Sequence, residues 1–204
     1  MKNLREIVKF ESYDEACKKY IDDLHYIIKN NRKFQDKLPV LMLSGGVDSM
    51  LLGCILKKYF GLKDSITVGC VQDTKDIKVS QDTASKLGID NTLIFVTLEE
   101  VLDNIHLCKG KKITTVFDLV YYLVFKLCLQ KTNVKNIDLV QGDGADTLLG
   151  STFLKQRFYA DKINPNDKKH KGSGHLFMEL TEDLGANAIM AFKHPDILRW
   201  VNDL

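Results

Sequence analysis

The sequence carries almost no net charge: 29 Lys and Arg are met by 27 Asp and Glu, leaving +2 over 204 residues. No global field would draw the chain onto nucleic acid or an anionic membrane, so neither is expected as a partner. There is no C-x-x-C pair, and the five cysteines Cys17, Cys54, Cys70, Cys108 and Cys128 are an odd number. That pattern disfavours a disulfide framework, a zinc site or a thiol relay, and suits a reducing compartment. No apolar run approaches the ~18 residues needed to cross a bilayer. The opening Met1-Lys-Asn-Leu-Arg-Glu6 lacks an apolar signal core, so a cytoplasmic location is expected. His25, His106, His170, His175 and His194 show no metal-ligand spacing such as H-E-x-x-H. No internal repeat or low-complexity tract is visible.

What is present is an ordinary globular composition, 45% hydrophobic and 27% charged, in a length that suits one domain spanning residues 1–204. Apolar positions Ala16, Tyr20, Ile21, Leu24, Ile27 and Ile28 recur at helical spacing between Tyr13 and about Lys33. Pro39-Val-Leu-Met-Leu43 reads as a buried strand running into a tight turn. A helix follows from Asp48 to Tyr59, ended by Gly61. The pattern then repeats with a strand over 66–71, a helix over 77–87 stopped by Gly88, a strand over 92–96 and a helix over 98–107. After them come an apolar helix over 116–129, a fourth strand over 137–140 and a helix over 145–159. Such alternation predicts an α/β fold, a parallel sheet sandwiched by helices and joined by right-handed crossovers. Residues 161–174, with Pro165, Gly172, Gly174 and many lysines, read as a mobile loop. Two short helical segments, 176–184 and 195–201, close the chain, the second starting at a proline as first turns allow.

Ser44-Gly-Gly-Val-Asp-Ser49 lies between a predicted buried strand and a predicted helix, where backbone N–H groups and the helix dipole converge on a point suited to an anion. Gly45 and Gly46 let the main chain approach phosphate oxygens, and Ser44 and Ser49 add hydroxyls. The spacing and lysine of a Walker A loop are absent. Asp48 amid phosphate donors would repel the ligand unless a divalent cation bridged them, and Mg²⁺ is the usual hard ion in that role. As a plain strand-to-helix turn, the segment would use Asp48 as a helix cap. A second strand leads into Gln141-Gly-Asp-Gly-Ala-Asp-Thr147. In a parallel sheet both loops emerge at the carboxyl ends of strands, so Asp48 and Asp146 are expected to share one metal, with Asp143 facing the reacting centre.

At these two loops the sequence resembles the synthetase domain of asparagine synthetase, of the PP-loop ATP pyrophosphatase family, which is Rossmann-like in fold. Residues 13–49 resemble the family's leading helix, strand and Ser-Gly-Gly-x-Asp-Ser loop, and 66–100 its second strand, helix and third strand. Residues 141–150 resemble its Ser-Gly-Glu-Gly-Ala-Asp-Glu-Leu-Phe-Gly segment, and Ala191-Phe-Lys-His-Pro-Asp its segment around Arg-x-Pro-Phe-Leu-Asp. The resemblance implies ATP bound with adenine near Leu43 and the backbone of Val68 and Gly69, and Mg²⁺–pyrophosphate held by Ser44, Gly46, Asp48, Ser49 and Asp146, with Gly142 beside them. It implies that a small carboxylic acid attacks the α-phosphorus, giving an acyl-adenylate that an amine opens to an amide. Asp143 stands in the place of the family's catalytic glutamate.

Several departures accompany the resemblance. Lys2 stands where the family's complete enzymes carry the glutaminase cysteine, so ammonia, an amine substrate or a separate amine-supplying subunit is expected to deliver the nitrogen. Asp143 is one methylene shorter than glutamate, and Thr147 replaces an acid. Lys169, Lys171 and Lys193 are candidates for the family's lysine against the adenylate phosphate, and Lys193 is the one expected to be catalytic. The short carboxyl-terminal part implies a smaller pocket or one completed by another subunit, with a homo-oligomer compatible. Clusters Lys109, Lys111, Lys112 and Lys168, Lys169, Lys171 read as solvated loop faces. Trp200, Tyr121-Tyr122 and Phe158-Tyr159 are assigned to packing. Two further readings stand beside the ligase. One is a catalytically weakened nucleotide-binding or regulatory protein. The other is a transfer-RNA base-modifying enzyme, which fits the first loop but lacks the basic face or paired cysteines such proteins carry.

Overall fold

The computed structural model describes residues 12–113, 115–145 and 174–197. Helix α1 (Tyr13–Asn31) starts where the Ser12 hydroxyl accepts from Glu15 N at 3.2 Å, satisfying one of the N–H groups a helix start leaves open. Strand β1 (Val40–Met42) leads through residues 43–46 into α2 (Val47–Phe60), which ends on left-handed Gly61. Then come β2 (Asp64–Gly69), α3 (Lys75–Leu87), capped by Thr74 and closed by left-handed Gly88, and β3 (Asp90–Phe95). Helix α4 (Leu98–Asp103) and helix α5 (Val116–Gln130) each open on a reciprocal capping box, Thr97 with Glu100 and Thr115 with Asp118. Strand β4 (Asp138–Gln141), helix α6 (Gly174–Asp183) and strand β5 (Asn187–Ile189) follow.

All four strand pairings are parallel, in the order β3-β2-β1-β4-β5. The strands alternate their buried side chains between two cores because successive residues face opposite sides of the sheet. Leu41, Leu43 and Val140 point into one core with Leu24, Ile28, Leu52 and Leu56 of α1 and α2. Val40, Met42 and Leu139 point into the other with Leu123, Leu129, Phe177 and Leu180 of α5 and α6. Burial on both faces explains why β1 reads as an unbroken apolar run, while β4 buries Asp138 and Gln141 on either side of Leu139 and Val140.

The sheet is the parallel α/β sandwich expected. The sequence pattern does not reveal β5: three residues are too few to show a period. Residues 98–107 are not one helix. The α-helix stops at Asp103, Asn104 Nδ2 donates back to Glu100 O at 2.8 Å, and a 3-10 turn (Ile105–Cys108) takes over. Gly174, expected in a loop, opens α6. The helix expected over 145–159, the loop over 161–173 and the end of the last helix lie outside the described residues, apart from Ala145 and residues 195–197, which are helical.

Strand order reverses between β1 and β4, both of which are central. In open parallel sheets that reversal leaves a crevice beyond the carboxyl ends of the two strands, and both glycine-bearing loops open into it.

Candidate active site

The first loop is shaped by its glycines and tied by its serines. Gly45 has φ +83°, a left-handed conformation, and a Cβ there would overlap the Asp76 carbonyl at the start of α3. Glycine is thus demanded by backbone angle and by space together. Ser49, only 2% exposed, donates its hydroxyl to Gly46 O at 2.8 Å and accepts from Ser44 N at 3.3 Å. Gly46 N donates to Ser44 Oγ at 3.2 Å, and the two hydroxyl oxygens stand 3.1 Å apart. Both serines therefore knit the loop. Gly46 caps α2 without any side-chain hydrogen bond, which leaves the positive end of that helix facing the crevice. The end of β1 is pinned at Leu43, whose N–H donates to Ile66 O at 2.9 Å and whose carbonyl accepts from Thr67 Oγ1 at 2.7 Å.

The second loop packs directly on the first. A Cβ on Gly142 would stand 3.0 Å from Ser49 N and 3.3 Å from the Asp48 carbonyl carbon, so a side chain there would push the loops apart. Asp143 follows, one-third exposed, and accepts from Lys193 Nζ at 2.6 Å. Lys193 comes from the 3-10 turn (Ala191–Lys193) just after β5. Its methylenes lie across Gly144, where a Cβ would meet Lys193 Cγ at 2.6 Å and φ is +105°. Gly174 is equally tight against the same side chain. Two glycines thus make the channel that delivers Lys193 to Asp143. Of the other lysine candidates, Lys169 and Lys171 lie outside the described residues, as does Asp146, so the shared metal expected of Asp48 and Asp146 is not addressed by the geometry.

A cleft of ≈ 800 Å³ joins these parts. Leu43, Val68 and Gly69 line it, as do Ser44, Gly46, Asp48, Ser49, Gly142 and Asp143. Its apolar wall comes from Phe117, Val120, Tyr121, Val124 and Phe125 of α5, and Asp76 and Gln141 also border it. Burial pushes the Tyr121 phenol above its ordinary range; a hydrogen bond from Gln141 works against this, and the nearby Asp143 carboxylate adds to it. Tyr20 on α1 is raised by burial and then by Asp48. Both phenols are held protonated beside carboxylates.

Tyr121 corrects one expectation, since it lines the cleft and bonds Gln141 at 2.6 Å instead of only packing. Its neighbour Tyr122 is fully buried core, as expected. Lys111 likewise is no solvated lysine: it pairs with Glu179 at 3.4 Å and Asp183 at 3.1 Å of α6. Trp200, Phe158, Tyr159, His170 and Lys168 lie outside the described residues. Sequence reasoning missed Asp76, Tyr121 and Gln141 as cleft residues. Asp76 does carry a signal, because it sits in the third strand-to-helix junction on the same sheet edge. Tyr121 carries none in a uniformly apolar helix.

A parallel α/β sheet with a glycine-serine loop at its switch point belongs to the broad class of doubly wound α/β folds. The family model described as Asparagine synthase matches residues 30–191, well over half of the chain. The chain belongs to the asparagine synthase family, a family of ATP-using, amide-forming enzymes. No curated protein matches it. Among solved structures, it is similar to an NH3-dependent NAD synthetase from Campylobacter jejuni, with 16% identity, TM-score 0.47 and coverage of 95% of this chain and 93% of that one. It is also similar to a predicted subunit of tRNA methyltransferase from Methanocaldococcus jannaschii, with 21% identity, TM-score 0.43 and coverage of 78% and 71%. Likeness at that level carries no functional information. No helix among the described residues is long and apolar enough to cross a membrane.

Proposed function

We propose that the cleft binds ATP and a small carboxylic acid, adenylates the acid with release of pyrophosphate, and passes the acyl group to ammonia or an amine. The observation that carries this reading is the packing of Gly142 on Ser49. It sets the phosphate-binding loop directly beside the Asp143–Lys193 pair.

Adenine is assigned to the Leu43, Val68 and Gly69 wall, and the triphosphate to the uncapped start of α2. No group of three His, Cys, Asp or Glu side chains stands together as a metal site among the described residues. Asp48 borders the cleft beside the loop that would hold the phosphates, and Mg²⁺ takes one or two carboxylates plus phosphate oxygens and keeps several waters. Asp48 would hold it, with Asp146 as the second expected ligand, and the ion would supply positive charge against the departing pyrophosphate.

In the first step a carboxylate oxygen of the acid forms a bond to the α-phosphorus, and the bond to pyrophosphate breaks. The α2 start stabilises the charge that develops on the leaving phosphates. In the second, the amine nitrogen bonds the acyl carbon and AMP leaves. Asp143 accepts the proton the amine loses, and Lys193 offers its positive charge to the AMP phosphate. Because Asp143 already faces Lys193, ligand entry must separate or share that pair. The same close pair favours a competing reading, a nucleotide-binding protein that does not turn over.

Incubation with ATP labelled at the α and γ positions, Mg²⁺, ammonia and a panel of amino and dicarboxylic acids separates these. AMP and pyrophosphate formed only in the presence of one acid support the ligase. ATP bound but never cleaved supports the binding protein, and release of ADP and phosphate defeats both steps as written.

A further inference from the structure

The α5 wall of the cleft is apolar and open, and the scheme above gives it no occupant. Phe117 and Val120 line the cleft, yet they are 68% and 37% exposed. Phe117, Tyr121 and Phe125 follow one another at one-turn spacing, with successive ring centroids 6.0 Å and 4.5 Å apart, so one face of the helix presents a file of aromatic rings. A wetted ring in a concave site leaves water at a gain when an apolar group covers it. The charges of the cleft point the same way. Asp48, Asp76 and Asp143 line it, and among the described residues no Lys, Arg or His does. Lys193, which reaches Asp143 from the turn after β5, is already paired with that carboxylate at 2.6 Å.

The run of α5 indicates which ligand meets its first turn. In its second turn Tyr121 bonds Gln141 at the end of β4, two residues before Asp143. Near its end Cys128 Sγ donates to Ile94 O of β3 at 3.5 Å. The helix therefore crosses the sheet from β4 towards β3, and β2, with the assigned adenine wall of Val68 and Gly69, lies next to β3. Phe117, one turn before Tyr121, stands at the Asp143 end, where the acyl group must react. A second carboxylate on the acid would enter there among aspartates and aromatic rings, with no lining cation to pair with, at a desolvation cost that nothing offsets. An apolar group would instead complete the wall.

We propose that Phe117 and Val120 are specificity-determining residues that pack against the non-reacting part of the acid substrate, and that this part is uncharged and apolar, such as an aryl group, and not the second carboxylate of a dicarboxylic acid. The assignment rests on the ligase reading above and names the class of its acid.

The test is calorimetric titration of the full chain, saturated with α,β-methylene-ATP and Mg²⁺, with two matched pairs of acids: 3-phenylpropanoate against succinate, and phenylalanine against aspartate. The members of each pair differ only in carrying a phenyl group or a carboxylate at the far end. The wild-type protein is expected to bind the phenyl member of at least one pair about tenfold tighter or more. Phe117→Ser and Val120→Ser, both at exposed positions where the fold loses little, are expected to lower that ratio by about fivefold and about twofold. Equal affinity within both pairs, or tighter binding of the carboxylate member, overturns the proposal. So does a ratio left standing in both variants, as a merely structural role of the wall predicts. A loss of α,β-methylene-ATP affinity in Phe117→Ser with the acid ratio unchanged makes the wall an adenine contact and also overturns it. Pyrophosphate release that depends on succinate or aspartate but on neither phenyl acid keeps the ligase reading and defeats this assignment alone. If no acid of either kind binds and no acid-dependent pyrophosphate appears, the ligase reading fails and takes this one with it.

Discussion

Lys193 Nζ stands 2.6 Å from Asp143 Oδ2, fifty residues away in the chain, and Gly144 and Gly174 leave the room its stem occupies, since a Cβ on either would collide with it. In the proposed reaction this carboxylate is the base and this ammonium the positive charge of the second step. The pair is about one-third exposed, so its strength as a fold-stabilising ion pair is small.

Asp143→Asn and Lys193→Met are each expected to lower ammonia-dependent amide formation by about 10²- to 10⁴-fold, as loss of a general base or a charge donor does, while acid-dependent pyrophosphate release in a single turnover is kept. Urea midpoints should scarcely move. Single-turnover formation of amide and AMP in the presence of ammonia is the measurement, and a rate within twofold of wild type in both variants would remove these residues from the chemistry.

Gly45→Ala sets a Cβ against the Asp76 carbonyl at a φ of +83°. The strain should cost about 1–3 kcal/mol and shift the loop away from the triphosphate. Chemical denaturation read together with ATP titration checks both halves; normal ATP affinity would mean that the loop does not cradle phosphate.

Asp48→Ala should abolish the dependence of nucleotide binding on Mg²⁺, while Mg²⁺-free binding stays weak. Fluorescent-ATP titrations with and without the ion give the answer. Affinity unchanged by the substitution would show that the carboxylate holds no cation.

Asp138, 1% exposed, accepts hydrogen bonds from Arg32 Nε at 3.2 Å, Lys33 N at 2.9 Å, Phe34 N at 3.2 Å and Asn187 Nδ2 at 2.7 Å. It ties the segment after α1 to β4 and β5. Asp138→Ala leaves a buried guanidinium and several N–H groups without their acceptor, and should cost about 3–5 kcal/mol of stability. Urea unfolding monitored by circular dichroism measures it, and a loss under about 1 kcal/mol would mean that water replaces the carboxylate.

Alkaline pH should weaken the fold. Burial pushes the Cys128 thiol from 9.0 up to about 11, and burial also raises Tyr20 and Tyr121 above 10.0. These groups hold their protons more tightly folded than unfolded, so their contribution is complete below about pH 9 and is lost as pH rises through the folded values. Urea midpoints are expected to fall between pH 8.5 and 10.5, less steeply in Tyr121→Phe. A flat profile over that range would contradict the burial of these groups.

Much of the framework is legible in the residue pattern. Gly61 and Gly88 mark the ends of α2 and α3 because each turns left-handed where the helix stops. The apolar run at 40–43 announces a strand covered on both faces, and Ile137, Leu139 and Val140 announce β4 although Asp138 interrupts them. The two loops announce themselves because glycine and aspartate after a buried strand have few other uses. β5 and the break after Asp103 are hidden, the first by its brevity and the second because a side chain, Asn104, ends the helix through a bond back to Glu100.

The amino-acid order by itself determined the alternation of strand and helix and the two glycine-bearing turns, since these rest on periodicity and on backbone angles that favour glycine, and it carried the motifs by which the chain resembles its family. Only the tertiary structure decided that Lys193 meets Asp143, that Tyr121 faces the cleft while Tyr122 does not, and that Gln141 bonds Tyr121. Those facts depend on contacts between residues tens of positions apart, set by strand order and side-chain packing, and no local pattern in the chain encodes them.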